Sequence, residues 1–178
     1  MRIGIIRHAK VFYRDPFFST GKKFDQSRLM YNASPVLPIN LKISVNEFPL
    51  CYVSSMTRAR DTVTQIYDGN FIISNEIIEI SNSAFWLRKI SIPTFLRSSS
   101  GRIAWLLNYS KMPETRLQSN QRARKFLTSI LNENKQNTLL VTHGFFMQSL
   151  RHELRQLGFK GYCPFLPPNG KFYIFERK

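Results

Sequence analysis

Short apolar runs punctuate this chain, and stretches with helical spacing separate them. Arg2 to Arg7 (Arg-Ile-Gly-Ile-Ile-Arg) is the first run. Its apolar, β-branched centre predicts a strand buried on both faces. Leu50 to Ser54, Phe71 to Ser74 and Thr138 to Thr142 predict three more strands, and Lys171 to Phe175 a last one at a sheet edge. Ser55 to Tyr67 reads as a helix with Ser54 or Ser55 as its N-cap, Ala59, Val63 and Ile66 inward, and Gly69 closing it. Arg116 to Asn132 puts Ala123, Phe126, Leu127, Ile130 and Leu131 on one stripe and basic residues on the other. A further helix runs from about Phe145 to Leu157 with Gly158 as its stop, and Asn169-Gly170 signals a tight turn. Strands that alternate with helices imply a mostly parallel sheet with right-handed crossovers.

Two regions carry little periodicity. Residues 11 to 49 hold turn signals at Asp15-Pro16, Gly21-Lys22-Lys23, Ser34-Pro35 and Leu37-Pro38, with a short helix expected around Pro38 to Phe48. Within it, the aromatic and basic stretch Val11 to Lys23 either lines a substrate mouth or packs on its own aromatics. Residues 81 to 115 read as a variable insertion with Trp86, Trp105, a breaker at Ser98-Ser-Ser-Gly101 and a short helix near Ile103 to Tyr109. Asn75 to Ile80 reads as a strand extension or the start of a loop. The 178 residues are most simply one domain that includes this insertion.

Charge changes the picture more than composition does. The net charge of +15 predicts a positive field that attracts anions. Phosphorylated small molecules and acidic or phosphorylated protein faces fit it. Basic residues are scattered rather than gathered on one helix, which argues against nucleic acid as the partner. No apolar run approaches the length of a membrane span. Cys51 and Cys163 lack metal-like or CxxC spacing and read as core thiols, so the expected location is the cytoplasm.

The chemistry gathers at strand ends. His8 and His143, two of only three histidines, directly follow predicted strands. Ligands of an open α/β sheet bind outside those carboxyl ends. His152, inside the last helix, reads as a surface residue. Arg58 falls in the first turn of a helix, where a cation opposes the helix dipole. An anion bound at that helix start would reverse the penalty. Arg7 adds a second planar fork suited to phosphoryl oxygens. A neutral imidazole whose other nitrogen is fixed can attack phosphorus, and positioning plus charge neutralisation supply most of phosphoryl-transfer catalysis. No metal-ligand cluster and no nucleotide-type glycine loop is visible, so no metal or cofactor is expected. Glu79 is the best-placed acid for the leaving group; Glu76, Glu47 and Asp15 are runners-up.

These residues resemble the histidine phosphatase superfamily, also called the phosphoglycerate mutase-like family. Ile5-Ile6-Arg7-His8-Ala9 is similar to its strand ending in Arg-His-Gly. Ser55-Met56-Thr57-Arg58-Ala59-Arg60-Asp61-Thr62 is similar to its Ser-Pro-Leu-x-Arg-Ala-x-Gln-Thr segment, Ile77-Ile78-Glu79-Ile80 to its Leu-x-Glu segment, and Leu140-Val141-Thr142-His143-Gly144 to its second-histidine motif. The resemblance implies a three-layer α/β/α sandwich. It implies that His8 is phosphorylated during turnover, that Arg7, Arg58 and His143 bind the phosphoryl group, and that Glu79 is the proton donor. Ala9 departs from the usual glycine, which a negative φ would accommodate. Met56-Thr57 replaces Pro-Leu, and Asp61 replaces the Gln. Arg14 stands where many members place a phosphate-contacting Asn, and would serve as a cation or point to solvent. Ser81 to Trp86 replaces the glycine-tryptophan pattern that follows the acid. The leading expectation is a metal-independent phosphomonoesterase. Mutase-type transfer and a phosphate- or phosphoprotein-binding module with little turnover are the alternatives.

Overall fold

The computed structural model describes residues 1–82, 88–133 and 135–178. A six-stranded sheet forms the middle layer. In chain order its strands are β1 (Arg2–Arg7), β3 (Leu50–Ser54), β4 (Ile72–Ser74), β6 (Thr138–Thr142), β7 (Lys160–Gly161) and β8 (Phe172–Glu176). Their order across the sheet is β4-β3-β6-β1-β8-β7. The β4–β3, β3–β6 and β6–β1 pairs are parallel, and β8 is antiparallel to both β1 and β7. A separate two-stranded piece joins β2 (Phe18–Ser19) to β5 (Ile92–Pro93). The helices are α1 (Gly21–Ala33), α2 (Thr57–Ile66), α3 (Thr94–Leu106), α4 (Arg116–Glu133) and α5 (Phe146–Gln156).

Alternation along the strands builds two cores. Ile3, Ile5 and Leu140 face Trp105, Phe126, Leu127, Leu150 and Leu154 of α3, α4 and α5. Ile6, Val53 and Val141 face Ala59, Val63 and Ile66 of α2 together with Phe48. Gly4 shows how tightly the second face is filled. A Cβ there would lie 2.5 Å from the Phe172 ring and 3.0 Å from that of Phe48, distances at which a core must distort.

Register then aligns the chemistry. Arg7 of β1 pairs with Thr142 of β6, Val53 of β3 with Val141 of β6, and Ser54 with Ser74 of β4. The His8 N–H extends the β1–β6 ladder by donating to the Thr142 carbonyl at 2.9 Å. His8, Ser54 and His143 therefore emerge on one edge of the sheet.

Several expectations are corrected. Residues 11–49 contain α1, which the pattern gave no sign of. Its described inward face is only Gly21, Phe24 and Ser27, so no apolar stripe marks it. Thr20 caps it by accepting from the Lys23 N–H. Pro38 to Phe48 is not a helix. Ile43 bridges to Tyr67, and Ser44 and Asp68 side chains accept from backbone N–H groups of Asn46 and Val45. Ser98 to Gly101 is no breaker but lies inside α3, where missing side-chain bulk at Gly101 lets Asn82 Oδ1 come flush against the helix. That helix ends at Leu106 rather than Tyr109, and Asn108 takes a left-handed φ of 58° just beyond it. β8 is not an edge strand, because the two-residue β7 covers it. The cap of α2 is Met56 and its end is the extended Tyr67, not Gly69. Asn75–Ile77 is a short 3₁₀ turn. Trp86 lies outside the described residues.

The other elements fall close to where the pattern puts them. Gly158 and Gly170 take φ of 83° and 70° at the helix stop and the tight turn. Both cysteines are free and buried. No helix among the described residues is long and apolar enough to cross a membrane.

Candidate active site

At the carboxyl edge of β1, β3 and β6 lies a cleft of about 920 Å³. His8 forms its floor and is 1% exposed. Its Nδ1 lies 2.7 Å from the Ala9 carbonyl. A carbonyl only accepts, so Nδ1 carries the proton and Nε2 keeps its lone pair. Arg58 Nε donates to that Nε2 at 3.1 Å. Asn169, in the turn before β8, donates through Nδ2 to the His8 carbonyl at 2.9 Å. The Ala9 N–H donates to Thr62 Oγ1 of α2 at 2.8 Å. The loop after β1 is thus fastened from both sides. Asn108 is the one described non-glycine residue with positive φ, so alanine at position 9 meets no strain.

Burial, the Arg58 charge and the Arg7 charge lower the His8 imidazole to about 3, although the Ala9 carbonyl acts the other way. At neutral pH the ring is therefore uncharged. His143 is fully buried, with its ring centre 5.2 Å from that of His8. Its Nε2 and Ser54 Oγ share a 2.7 Å hydrogen bond, and its Nδ1 has no partner among the described residues. Burial first, then the Arg58 charge, the neighbouring His8 ring, and the Arg7 and Arg122 charges push this imidazole well below its ordinary value. Ser54 also accepts from the Met56 N–H at 3.3 Å. One of the two serines expected to cap α2 instead orients a histidine.

Arg58 is buried at the start of α2, as the sequence placed it. Its Nη1 donates to Asn32 Oδ1 at 2.7 Å, and its Cζ lies 5.3 Å from the Tyr31 ring centre. Arg7 donates through Nη1 to the Pro167 carbonyl at 2.8 Å, while its buried Nε has no partner among the described residues. A Cβ at position 144 would lie 3.0 Å from that Nε, so glycine after His143 makes room for the guanidinium.

Glu79 sits where the chain passes the N-terminus of α5. Its Oε1 accepts from the Ile80 and Phe146 N–H groups at 3.0 and 3.1 Å. Its Oε2 is held more loosely, by the Phe145 N–H at 3.4 Å and Arg102 Nη2 at 3.8 Å. Glu79 lines the cleft with Arg7, His8 and Arg58.

The structure thus brings Arg7, His8, Arg58, Glu79 and His143 together. It does not bring Arg14, which is exposed and does not line the cleft. Of the Val11 to Lys23 stretch only Asp15 reaches it. His152 is exposed on α5, as expected. Sequence reasoning missed Arg28, Tyr31 and Asn32 of α1, Arg102 of α3, and Asn169. Only Asn169 carried a signal, as half of a turn dipeptide. Arg102 stacks on Phe145, its Cζ 4.0 Å from the ring centre, and donates to the Ile80 carbonyl. No three His, Cys, Asp or Glu side chains among the described residues are grouped to hold a metal ion.

Solved structures share this architecture. A phosphoserine phosphatase from Entamoeba histolytica, in complex with 3-phosphoglyceric acid, superposes with a TM-score of 0.62 at 14% identity, covering 97% of this chain and 89% of that one. A mycobacterial glucosyl-3-phosphoglycerate phosphatase gives 0.59 at 15%, covering 97% and 88%. A protein described as mycobacterial hydrolase 1 gives 0.63 at 16%, covering 97% and 87%. At these identities the likeness is one of fold, that of phosphoglycerate mutase-like proteins. No curated protein sequence matches the chain. The sequence model of the histidine phosphatase superfamily (branch 1) matches residues 41–178, a stretch that contains Arg58, Glu79 and His143. His8 precedes that stretch and joins it through the β1–β6 ladder. Matched over most of its length and folded as the family folds, the chain belongs to the histidine phosphatase superfamily, branch 1.

Proposed function

We propose that the protein is a phosphomonoester hydrolase that works through a phosphohistidine at His8. One observation carries this reading. The Nδ1–H of His8 is locked onto the Ala9 carbonyl, which leaves an uncharged Nε2 lone pair at the cleft floor beside Arg58.

In the first step Nε2 attacks phosphorus and the ester P–O bond breaks. The departing oxygen takes a proton from Glu79, on Oε2, the more loosely held of its two oxygens. In the second step water attacks phosphorus, its proton returns to Glu79, the P–N bond breaks, and inorganic phosphate leaves. Arg7 and Arg58 neutralise the phosphoryl oxygens throughout, so no step calls for a metal. His143 adds a donor through Nδ1 when Ser54 donates its hydroxyl proton to Nε2. The cleft is far larger than a bare phosphate, and Met56, Tyr31, Ile103, Phe145 and Phe165 are among its walls. A small phosphorylated organic molecule fits it best.

A phosphate-binding module with little turnover is the second reading. It is favoured by the backbone N–H groups that already engage both Glu79 oxygens. Hydrolysis of an aryl phosphate, with chelator present, separates the two. Turnover that survives the chelator and is abolished by His8→Ala is expected. Equal activity in that variant would remove His8 as nucleophile, and phosphate binding without turnover in the wild type would leave the module. Release of phosphate to water, rather than an isomeric product, distinguishes hydrolysis from mutase-type transfer.

A further inference from the structure

Arg58 is held from three sides, and two of those holds come from α1. His8 Nε2 accepts from its Nε, Asn32 Oδ1 accepts from its Nη1, and the Tyr31 ring lies against its Cζ. Helix α1 precedes the stretch that matches the family model, and it is a polar helix joined to the body of the protein from outside the central sheet.

Something has to hold this side chain. An arginine has many rotamers to lose, and this one is buried in the first turn of a helix whose dipole opposes it. The obvious anchor, a carboxylate, would cancel the charge that an incoming anion needs. An amide oxygen supplies the acceptor without the charge. Asn32 also lines the cleft, so the contact sits at the site itself.

The hydrogen bond to His8 raises a second requirement. The Nε2 lone pair that would attack phosphorus accepts from Arg58 Nε–H. That N–H must move to a phosphoryl oxygen before attack. A guanidinium anchored only on His8 would lose its anchor at that moment.

We propose that Asn32, backed by the Tyr31 ring, is the positioning residue of Arg58. It fixes Nη1 while Nε–H passes from His8 Nε2 to an oxygen of the arriving phosphoryl group. This inference rests on the phosphohistidine reading above. Its rivals are an Asn32 that merely fastens α1 and an Asn32 that binds substrate itself through Nδ2. Both act independently of Arg58, and the clamp does not.

A double-mutant cycle tells them apart. Aryl phosphate turnover and calorimetric affinity for inorganic phosphate are measured for the wild type, Asn32→Ala, Arg58→Ala and the double variant, with a thermal midpoint for each. We expect Asn32→Ala to lower kcat/KM and phosphate affinity about tenfold in the wild-type background, and by less than about twofold once Arg58 is alanine. Losses that multiply in the double variant would overturn the clamp. If Asn32→Ala fails to fold, Asn32→Ser carries the same cycle with the same expected pattern. A wild type that binds phosphate without turning over would sink the hydrolase reading, yet the phosphate affinities would still decide the clamp.

Discussion

The floor of the cleft and its rim are built by different physics. The floor is Arg7, His8 and Arg58, backed by the buried Ser54 and His143, all set at the ends of β1, β3 and β6 and the start of α2. All of it hangs on sheet register. Moving one strand by one residue would turn its side chains to the opposite face, so the two cores that fix the strands also fix the site. The rim is Arg28, Tyr31 and Asn32 from α1, and Arg102, Ile103 and Leu106 from α3. Beside the buried rings of Phe24 and Trp105, polar contacts help secure it: buried Arg97 of α3 donates to the Ser19 and Ile90 carbonyls, Arg88 pairs with Asp25, and Asn82 donates to Ser98. The comparison teaches that a hydrophobic sheet can hold a reaction centre while helices held in good part by polar contacts set what approaches it.

Truncating a floor residue should therefore cost most. Arg58→Ala is expected to lower kcat/KM for an aryl phosphate by about 10²–10³-fold, as loss of one preorganised charge donor does. A loss no larger than that of a rim variant would erase the distinction. Glu79 links the two regions, being bound to the start of α5 and near Arg102 of α3. Glu79→Gln should cost alkyl phosphates about 10²-fold, the low end for a general acid. Aryl phosphates, whose leaving groups need less protonation, should lose much less. Equal losses on both would remove Glu79 as the acid.

Stability against pH tests the floor alone. Unfolded, the His8 imidazole takes a proton near 6.5; folded, it does so only near 3. Between those values the unfolded state binds more protons, so stability rises with pH through that window and His8 adds no slope above it. His8 alone should contribute about 1.4 kcal/mol per pH unit there. Urea midpoints at pH 7 and pH 5 check this, and His8→Gln should remove the His8 share of the slope between them, leaving that of the likewise buried His143. Parallel slopes for wild type and variant would mean that the ring is not held uncharged.

The same contrast explains what was legible in the sequence. Strands that pack on both faces must be apolar, so Arg2–Arg7 and Thr138–Thr142 stood out, and with them the residues at their ends. Arg58 betrayed itself by breaking a local rule. Helix α1 has no apolar stripe, so Tyr31 and Asn32 could not be seen. Ser98 to Gly101 reads as a breaker to any local rule, and no local rule shows the seating of Asn82 against Gly101 or the distant partners of Arg97. Polar anchoring leaves no periodicity behind. The role of Ser54 is hidden for a related reason: a hydroxyl at 54 or 55, before a helix, suits a cap, and only the assembled sheet shows His143 within reach of Ser54.

Arg14 gives the smallest expected effect. Its sequence position suggests a phosphate contact, but the side chain is exposed and does not line the cleft. Between it and α1 lie β2 and the exposed rings of Phe17 and Phe18, and the arginine that reaches the cleft from this part of the chain is Arg28. Arg28 is held by Asp15 and lies over the Phe24 and Tyr31 rings. An exposed charge in a solvated loop acts through screened, long-range attraction only. Arg14→Ala should therefore leave kcat unchanged and shift KM by less than about twofold at 0.15 M salt. A tenfold loss in kcat would mean that the loop after β1 carries Arg14 into the cleft during turnover, and that motif position predicts chemistry better here than resting geometry does.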